Sequence, residues 1–509
     1  MSPNQADVAE MPGVAAGASA DPCTIVIFGA SGDLAQRKLI PALYGLAGGK
    51  FSARKFAVVG YARTPITDQD FQSKVVDATK ASSDSGKVED DTLKTFAEGF
   101  SYVSGDYDKP DGFVKLAARL TEVDQKYSLG GNRLFYLATP PEVYPLVIEQ
   151  LQKAGLSKPD NDRSWVRIII EKPFGRDLQS AMKLNAAVLK VFDEKQVYRI
   201  DHYLGKDTVQ NLLVLRFGNG IFEPIWNRNF VDHVQITASE SLGVEKRGSF
   251  YENTGAVRDM IQSHMLQLAA LVAIEPPAVF DATAVRNEKI KVLQSIRPFT
   301  PGSVATDVVR GQYGPGTVGG KPAVGYRQEK GVSPESATET FAAVKLRVDN
   351  WRWAGVPFYL RTGKHLARRM TEIVIEFRHA PHVVFRGQDV ANRLVLNIQP
   401  EEGISISFGA KLPGPAMRVQ GVSMDFSYHK MFGAAERSAY ATLLNDCMRG
   451  DATLFDRADS VEAAWALVDP ILEAWAAKKP AFPNYAAGSW GPKESDDLLE
   501  IDGRAWCNS

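Results

Sequence analysis

Cysteine is scarce in this chain: Cys23, Cys447 and Cys507 are the only three in 509 residues, and no two of them form a CxxC pair. Such spacing excludes a disulfide framework and a structural zinc, and it fits a reducing compartment. Net charge is almost absent too, at −1, which leaves no basic footprint for nucleic acid and no polybasic patch for a membrane surface. An anionic ligand must therefore be held by a local pocket. No apolar run approaches the roughly 20 residues that a bilayer span requires. Residues 1–21 are rich in Ala, Pro and Gly and hold no Lys or Arg, so they make neither a signal peptide nor a transit peptide. Residues 1–22 are expected to be a disordered tail on a cytoplasmic protein.

What is present describes a globular protein, 44% hydrophobic and 23% charged. The length exceeds one core, so two large domains are expected, over 23–204 and 205–509. Residues 24–28 (TIVIF) read as a strand buried on both faces. Gly29, Ala30, Ser31, Gly32, Asp33 and Leu34 follow, and then Leu39, Leu43 and Leu46 fall at helical spacing. Strand, glycine turn and helix together suit a pyrophosphate, because the backbone can approach it and the helix N-terminus offers free N–H groups. This is not a GxxxxGK[ST] loop, which argues against a kinase-type site. A second strand at 56–60 ends at Gly60-Tyr61-Ala62-Arg63. An NAD enzyme would usually carry an acid there for the ribose 2′-hydroxyl; Arg63 in its place favours a 2′-phosphate, hence NADP.

Short apolar strands at 100–105, 134–138 and 166–170, separated by helical stretches, complete a doubly wound, Rossmann-type parallel sheet. Pro140 and Pro173 end two of these strands, and Lys172 points a cation at the cleft. Beyond Gly205 the pattern changes to longer runs rich in β-formers, at 234–240, 341–348, 358–361, 373–377, 394–398 and 404–408. Their product is a larger α+β domain with a mostly antiparallel sheet. The main helix among them covers 253–274, with Val257, Ile261, Met265, Leu268 and Leu271 on one stripe. Residues 301–334 hold eight glycines and read as a loop, 436–476 as helix, and the remainder to 509 as irregular.

The densest chemistry lies in 199–207 (RIDHYLGKD). His202, Tyr203 and Lys206 supply donors of three lengths, which suits a dianionic phosphate. Asp201 has the opposite sign and must point elsewhere. His264 lies one residue before the stripe position Met265; on its own it is a satisfied boundary residue or a base. Residues 361–369 (RTGKHLARR) form either a solvated basic edge or an anion contact. No His, Asp or Glu cluster has metal-ligand spacing, so no metal is expected.

The motifs GASGDLA (29–35), GYAR (60–63), EKPFG (171–175), RIDHYLGK (199–206), RDMIQSH (258–264) and RTGK (361–364) resemble those of the glucose-6-phosphate dehydrogenase family, in the same order. That resemblance implies oxidation of glucose 6-phosphate at C1 to a lactone with NADP, in the pentose phosphate pathway. It implies that His264 is the base and Asp201 its partner, and that Tyr144 and Lys172 contact the cofactor. Lys172, Lys364 and Arg369 would contact the substrate, and Glu240 and Asp259 would accept from its hydroxyls. RGQY at 310–313 resembles a loop beside the active site. A homodimer or homotetramer is implied as well, and no nucleic-acid or membrane partner. One departure is visible: eukaryotic members often hold a second, structural NADP using cations where this chain has Met370 and Val374. Two other readings compete: an aldose oxidoreductase of the related two-domain type, and a non-catalytic NADP sensor.

Overall fold

In the computed structural model, residues 20–48, 56–82, 88–382, 384–385, 390–433 and 438–508 are described. The expected tail falls outside them up to residue 19. Six parallel strands form the first sheet: β1 (Cys23–Phe28), β2 (Phe56–Ala62), β3 (Phe100–Ser104), β4 (Arg133–Leu137), β5 (Val166–Ile170) and β6 (Val197–Ile200), in the order β6-β5-β4-β1-β2-β3. β1 and β4 are buried at every position, as expected of strands covered on both faces. The chain leaves β1 towards β2 in one direction and returns to β4 on the other side, so the topological switch point lies between β1 and β4. β6 is not among the expected strands. Its outer edge is covered by the two-residue strand Phe455–Asp456, which pairs antiparallel with it.

The second sheet has eight strands, in the order Val419–Ser427, Gly403–Lys411, Arg393–Gln399, Met370–Phe377, Val231–Ser239, Pro357–Gly363, Phe341–Arg347 and Val308–Gly311. Every neighbouring pair is antiparallel except Val231–Ser239 with Pro357–Gly363. The architecture is the one expected, a parallel sheet with helices followed by a larger, mostly antiparallel unit. Among the described residues no helix is long and apolar enough to cross a membrane.

Three local expectations need correction. Residues 301–334 are not one loop: they hold the helix Pro301–Asp307, the edge strand Val308–Gly311 and a hairpin of Gly316–Val318 with Lys321–Ala323. Gly319 and Gly320, both at positive φ, make that hairpin's turn. The helical stretch of 436–476 is two helices, Ala439–Arg449 and Ala458–Ala476, with the short strand between them. The C-terminal end carries the helix Glu494–Glu500.

The stripe of the main helix is buried as expected, but its winding is not α-helical throughout. Val257–Met265 is a π-helix that runs into the α-helix Leu266–Ala273. With i→i+5 bonding, residues five apart share a face, and Asp259 and His264 are five apart.

Candidate active site

The C-terminal ends of β1, β4, β5 and β6 lie along one edge of the first sheet, and the π-helix sets Asp259 and His264 against the residues that follow β5 and β6. At the end of β1, Gly29 has φ +83°, donates its N–H to Tyr61 O at 2.8 Å, and leaves no room for a Cβ against the Ala138 carbonyl. Only glycine satisfies both conditions. Gly32 N–H closes the turn on Gly29 O at 2.8 Å. Ala30 is buried, Ser31, Gly32 and Leu34 are half-buried, and Asp33 is exposed beside Arg37 at 3.4 Å. Across the turn, Thr139 Oγ1 is buried with no hydrogen-bond partner among the described residues. Arg63 is exposed just past β2, its guanidinium 5.8 Å above the Tyr107 ring. The glycine turn, the orphaned hydroxyl and an exposed arginine where an NAD enzyme would carry an acid fit a 2′-phosphorylated dinucleotide.

Tyr144 is buried, and its hydroxyl donates to Glu171 O at 3.3 Å. It therefore backs the EKP turn from within the fold. The Glu171 carboxylate is buried as well, accepting from Tyr136 at 2.5 Å and from Tyr440. Burial pushes its pKa up to about 7 against the pull of those hydroxyls and of Lys172.

β6 delivers Asp201 and its neighbours to the same place. Asp201 Oδ1 lies 2.5 Å from His264 Nδ1, and both side chains are buried. Burial alone would raise the Asp201 carboxyl; the charge and hydrogen bond of His264 reverse this and hold it well below the usual carboxylate range. His264 is itself held below its ordinary pKa, because burial, aided by Lys172, outweighs the pull of Asp201. Its other nitrogen, Nε2, faces Lys172 Nζ at 2.7 Å. Tyr203 stacks on the imidazole at 4.2 Å and 21°, and its backbone N–H donates to Asp201 Oδ1 at 2.9 Å. His202 stands edge-on to the same ring at 4.6 Å and lies nearly parallel to Tyr440. Burial and the neighbouring His264 and Lys172 keep its pKa well below the ordinary value. Lys206 is half-buried at the start of the helix Asp207–Phe217.

The second sheet contributes the facing wall. Lys364, from the end of Pro357–Gly363, bonds Glu240 and lies 3.8 Å from Asp259. Burial would raise Asp259, but Lys172 and Lys364 hold it well below the usual range. Arg369 is exposed at the head of Met370–Phe377. The residues brought together are thus Lys172, Asp201, His202, Tyr203, Glu240, Asp259, His264 and Lys364; Arg369 and Arg63 lie at exposed margins. Met370 and Val374, the departures noted in the sequence, are both buried in their strand. Arg310 of the RGQY run is spent on Trp475 O at 3.0 Å and Lys478 O at 2.5 Å.

Ligand atoms of Asp201, His202 and His264 lie within 4.8 Å of one another. An ammonium already sits where a cation would meet His264 Nε2, so no metal is assigned there. Sequence reasoning did not find Tyr440, which belongs to no local motif, nor the contact of Lys172 with His264, which spans 92 residues.

A family model described as the NAD binding domain of glucose-6-phosphate dehydrogenase matches residues 26–211, and one described as its C-terminal domain matches residues 213–507. The chain is 49% identical over 488 residues to a glucose-6-phosphate 1-dehydrogenase of Aggregatibacter actinomycetemcomitans, covering 96% of this chain and 97% of the relative. It is 48% identical over 492 residues to glucose-6-phosphate 1-dehydrogenase 2 of Mycobacterium tuberculosis H37Rv, covering 96% and 95%. A solved glucose-6-phosphate dehydrogenase in complex with its substrate glucose-6-phosphate is similar at a TM-score of 0.88 and 34% identity, covering 96% of this chain and 99% of that one. The chain belongs to the glucose-6-phosphate dehydrogenase family.

Proposed function

We propose that this chain oxidises D-glucose 6-phosphate at C1 to 6-phospho-D-glucono-1,5-lactone with NADP, the entry step of the pentose phosphate pathway. The observation that carries the reading is the buried Asp201–His264 pair, with Lys172 against His264 Nε2 and Lys364 beside Asp259. NADP, when bound, supplies the hydride acceptor; the protein supplies position and charge. His264 Nε2 takes the proton of the C1 hydroxyl. Asp201 fixes the tautomer by holding Nδ1–H, and it stabilises the imidazolium as it forms. His202, Tyr203 and Lys206 hold the sugar phosphate. Glu240 and Asp259 accept from sugar hydroxyls, with Lys172, Lys364 and Arg369 balancing charge along the sugar. Gly29, Ala30, Ser31, Gly32, Asp33, Leu34 and Lys172 form the cofactor cradle, with Tyr144 supporting it from behind the EKP turn, and Arg63 reads the 2′-phosphate.

The division at 23–204 and 205–509 is proposed on the two sheets, although Phe455–Asp456 returns to the first. A cytoplasmic setting is supported by three buried cysteines that form no disulfide among the described residues. A homodimer or homotetramer through the second sheet is supported by exposed Met424, Met431 and Phe432 at its edge.

Absorbance of reduced cofactor, followed with NADP and glucose 6-phosphate and then with free glucose, tests this reading. Turnover of the phosphate ester alone is expected. Equal turnover of glucose would favour an aldose oxidoreductase, and cofactor binding without turnover a sensor.

A further inference from the structure

Both ring nitrogens of His264 are taken. Nδ1 meets Asp201 Oδ1 at 2.5 Å, and Nε2 meets Lys172 Nζ at 2.7 Å. An ammonium can only donate, so Nε2 carries the lone pair and Nδ1 the proton. The nitrogen that has to accept a substrate proton is therefore the one that Lys172 covers. The lysine is tethered there independently, because it also donates to Asp259 O at 2.8 Å and to Asp259 Oδ1 at 3.2 Å. Its three N–H groups are all spent. The π-helical winding makes this possible by setting Asp259 and His264 on one face.

We infer that Lys172 is a gate on His264: its ammonium caps the base, and the sugar hydroxyl must displace it before a proton can move. The inference rests on the reading of His264 as the base. The groups that face the imidazole are Asp201, His202 and Tyr203 from the segment after β6, Lys172 from the end of β5, and Asp259 from its own helix. Lys364 faces Asp259 and not the ring. Among the described residues, only Lys172 sets a cation against Nε2. A proton arriving at Nε2 from solvent would meet that ammonium, so the capped base stays neutral while it waits.

Release needs no movement of the main chain, since lysine carries its charge on a flexible four-carbon stem. A sugar hydroxyl donating to Asp259 loosens the tether as the sugar arrives. No proton is exchanged in the displacement: the C1 O–H replaces a lysine N–H as the donor to Nε2. In the reaction that proton would pass to Nε2 while NADP, when bound, would accept the C1 hydride, leaving C1–O as a carbonyl. Lys172 is on this account a positioning residue for the base as well as a ligand.

The test is the titration of His264 in unliganded protein carrying ¹⁵N-labelled histidine, its resonance assigned by loss in His264→Asn. Lys172→Ala should raise the His264 pKa by about one unit or more, the size of a nearby-charge effect. Lys172→Arg, which keeps the cation, should leave it low. Glucose 6-phosphate without cofactor should raise it in the natural chain and by less in Lys172→Ala. Should Lys172→Ala not fold, Lys172→Gln removes the charge with less loss of volume. An unchanged His264 pKa in the folded neutral variants overturns the gate. A His264→Asn enzyme that kept its kcat would instead overturn the base assignment and leave the titration result standing.

Discussion

Asp201 and His264, 63 positions apart in the chain, meet at 2.5 Å between Oδ1 and Nδ1, with both side chains shut away from solvent. One comes from the C-terminal end of a parallel strand and the other from a π-helical turn against the second sheet. The pair exists only when the two halves of the chain are assembled. On the proposed reading, that places His264 at the seam between the two sheets as the base.

The partner's role is directly testable. Asp201→Asn keeps the size of the side chain but no longer fixes the Nδ1–H tautomer, and kcat should fall. The double variant with His264→Asn should be little worse than His264→Asn alone, because residues acting as one unit are not additive. Additive losses, from steady-state kinetics of all three variants, would mean that the two act separately.

The pH dependence follows from burial. His264 must be deprotonated to act, and its pKa lies below the ordinary 6.5. As pH falls, kcat/KM should stay level past 6.5 and drop only on reaching the lowered value. A limb centred at or above 6.5, in the natural enzyme, would assign the essential base to another group.

Much of this was legible in the sequence, and the reasons are local. β1, β4 and β5 are short β-branched or apolar runs bounded by glycine or proline, and the glycine turn follows directly. β6 was hidden because its four residues, VYRI, merge with the polar motif and show no alternation. Phe455–Asp456 was illegible because two residues have no periodicity; it exists only because the edge of β6 needs a partner. The π-helix has the same apolar stripe as an α-helix, so nothing local signals that Asp259 and His264 face one lysine. Tyr440 is reached only through its long-range contacts with Glu171 and His202.

Cofactor choice should turn on Arg63, exposed past β2 with no acid in its place. A charge-assisted hydrogen bond contributes about 1.5–3 kcal/mol, so Arg63→Ala should weaken NADP binding by roughly ten- to a hundredfold. Binding of NAD should barely change. Calorimetric titration with both cofactors decides it; equal losses would remove Arg63 from the 2′-phosphate.

Gly29 links cofactor binding to stability. At φ +83°, with the Ala138 carbonyl against its face, Gly29→Ala should cost about 1–3 kcal/mol of unfolding free energy. Urea denaturation reads this as a lower midpoint with an unchanged slope. An unshifted midpoint would show that the turn relaxes freely.

Discrimination for the phosphate should rest on the donors after β6. Lys206→Ala should reduce kcat/KM for glucose 6-phosphate far more than for free glucose. If both substrates lost the same factor, the phosphate would have to be bound elsewhere.

The most direct measurement is the steady-state kinetics of His264→Asn with NADP and glucose 6-phosphate. Loss of a general base costs about 10²–10⁴-fold, so kcat should fall by that order. KM for the sugar phosphate should change much less, because His202, Tyr203 and Lys206 remain. A variant that kept most of its kcat would contradict the assignment of His264 as the base.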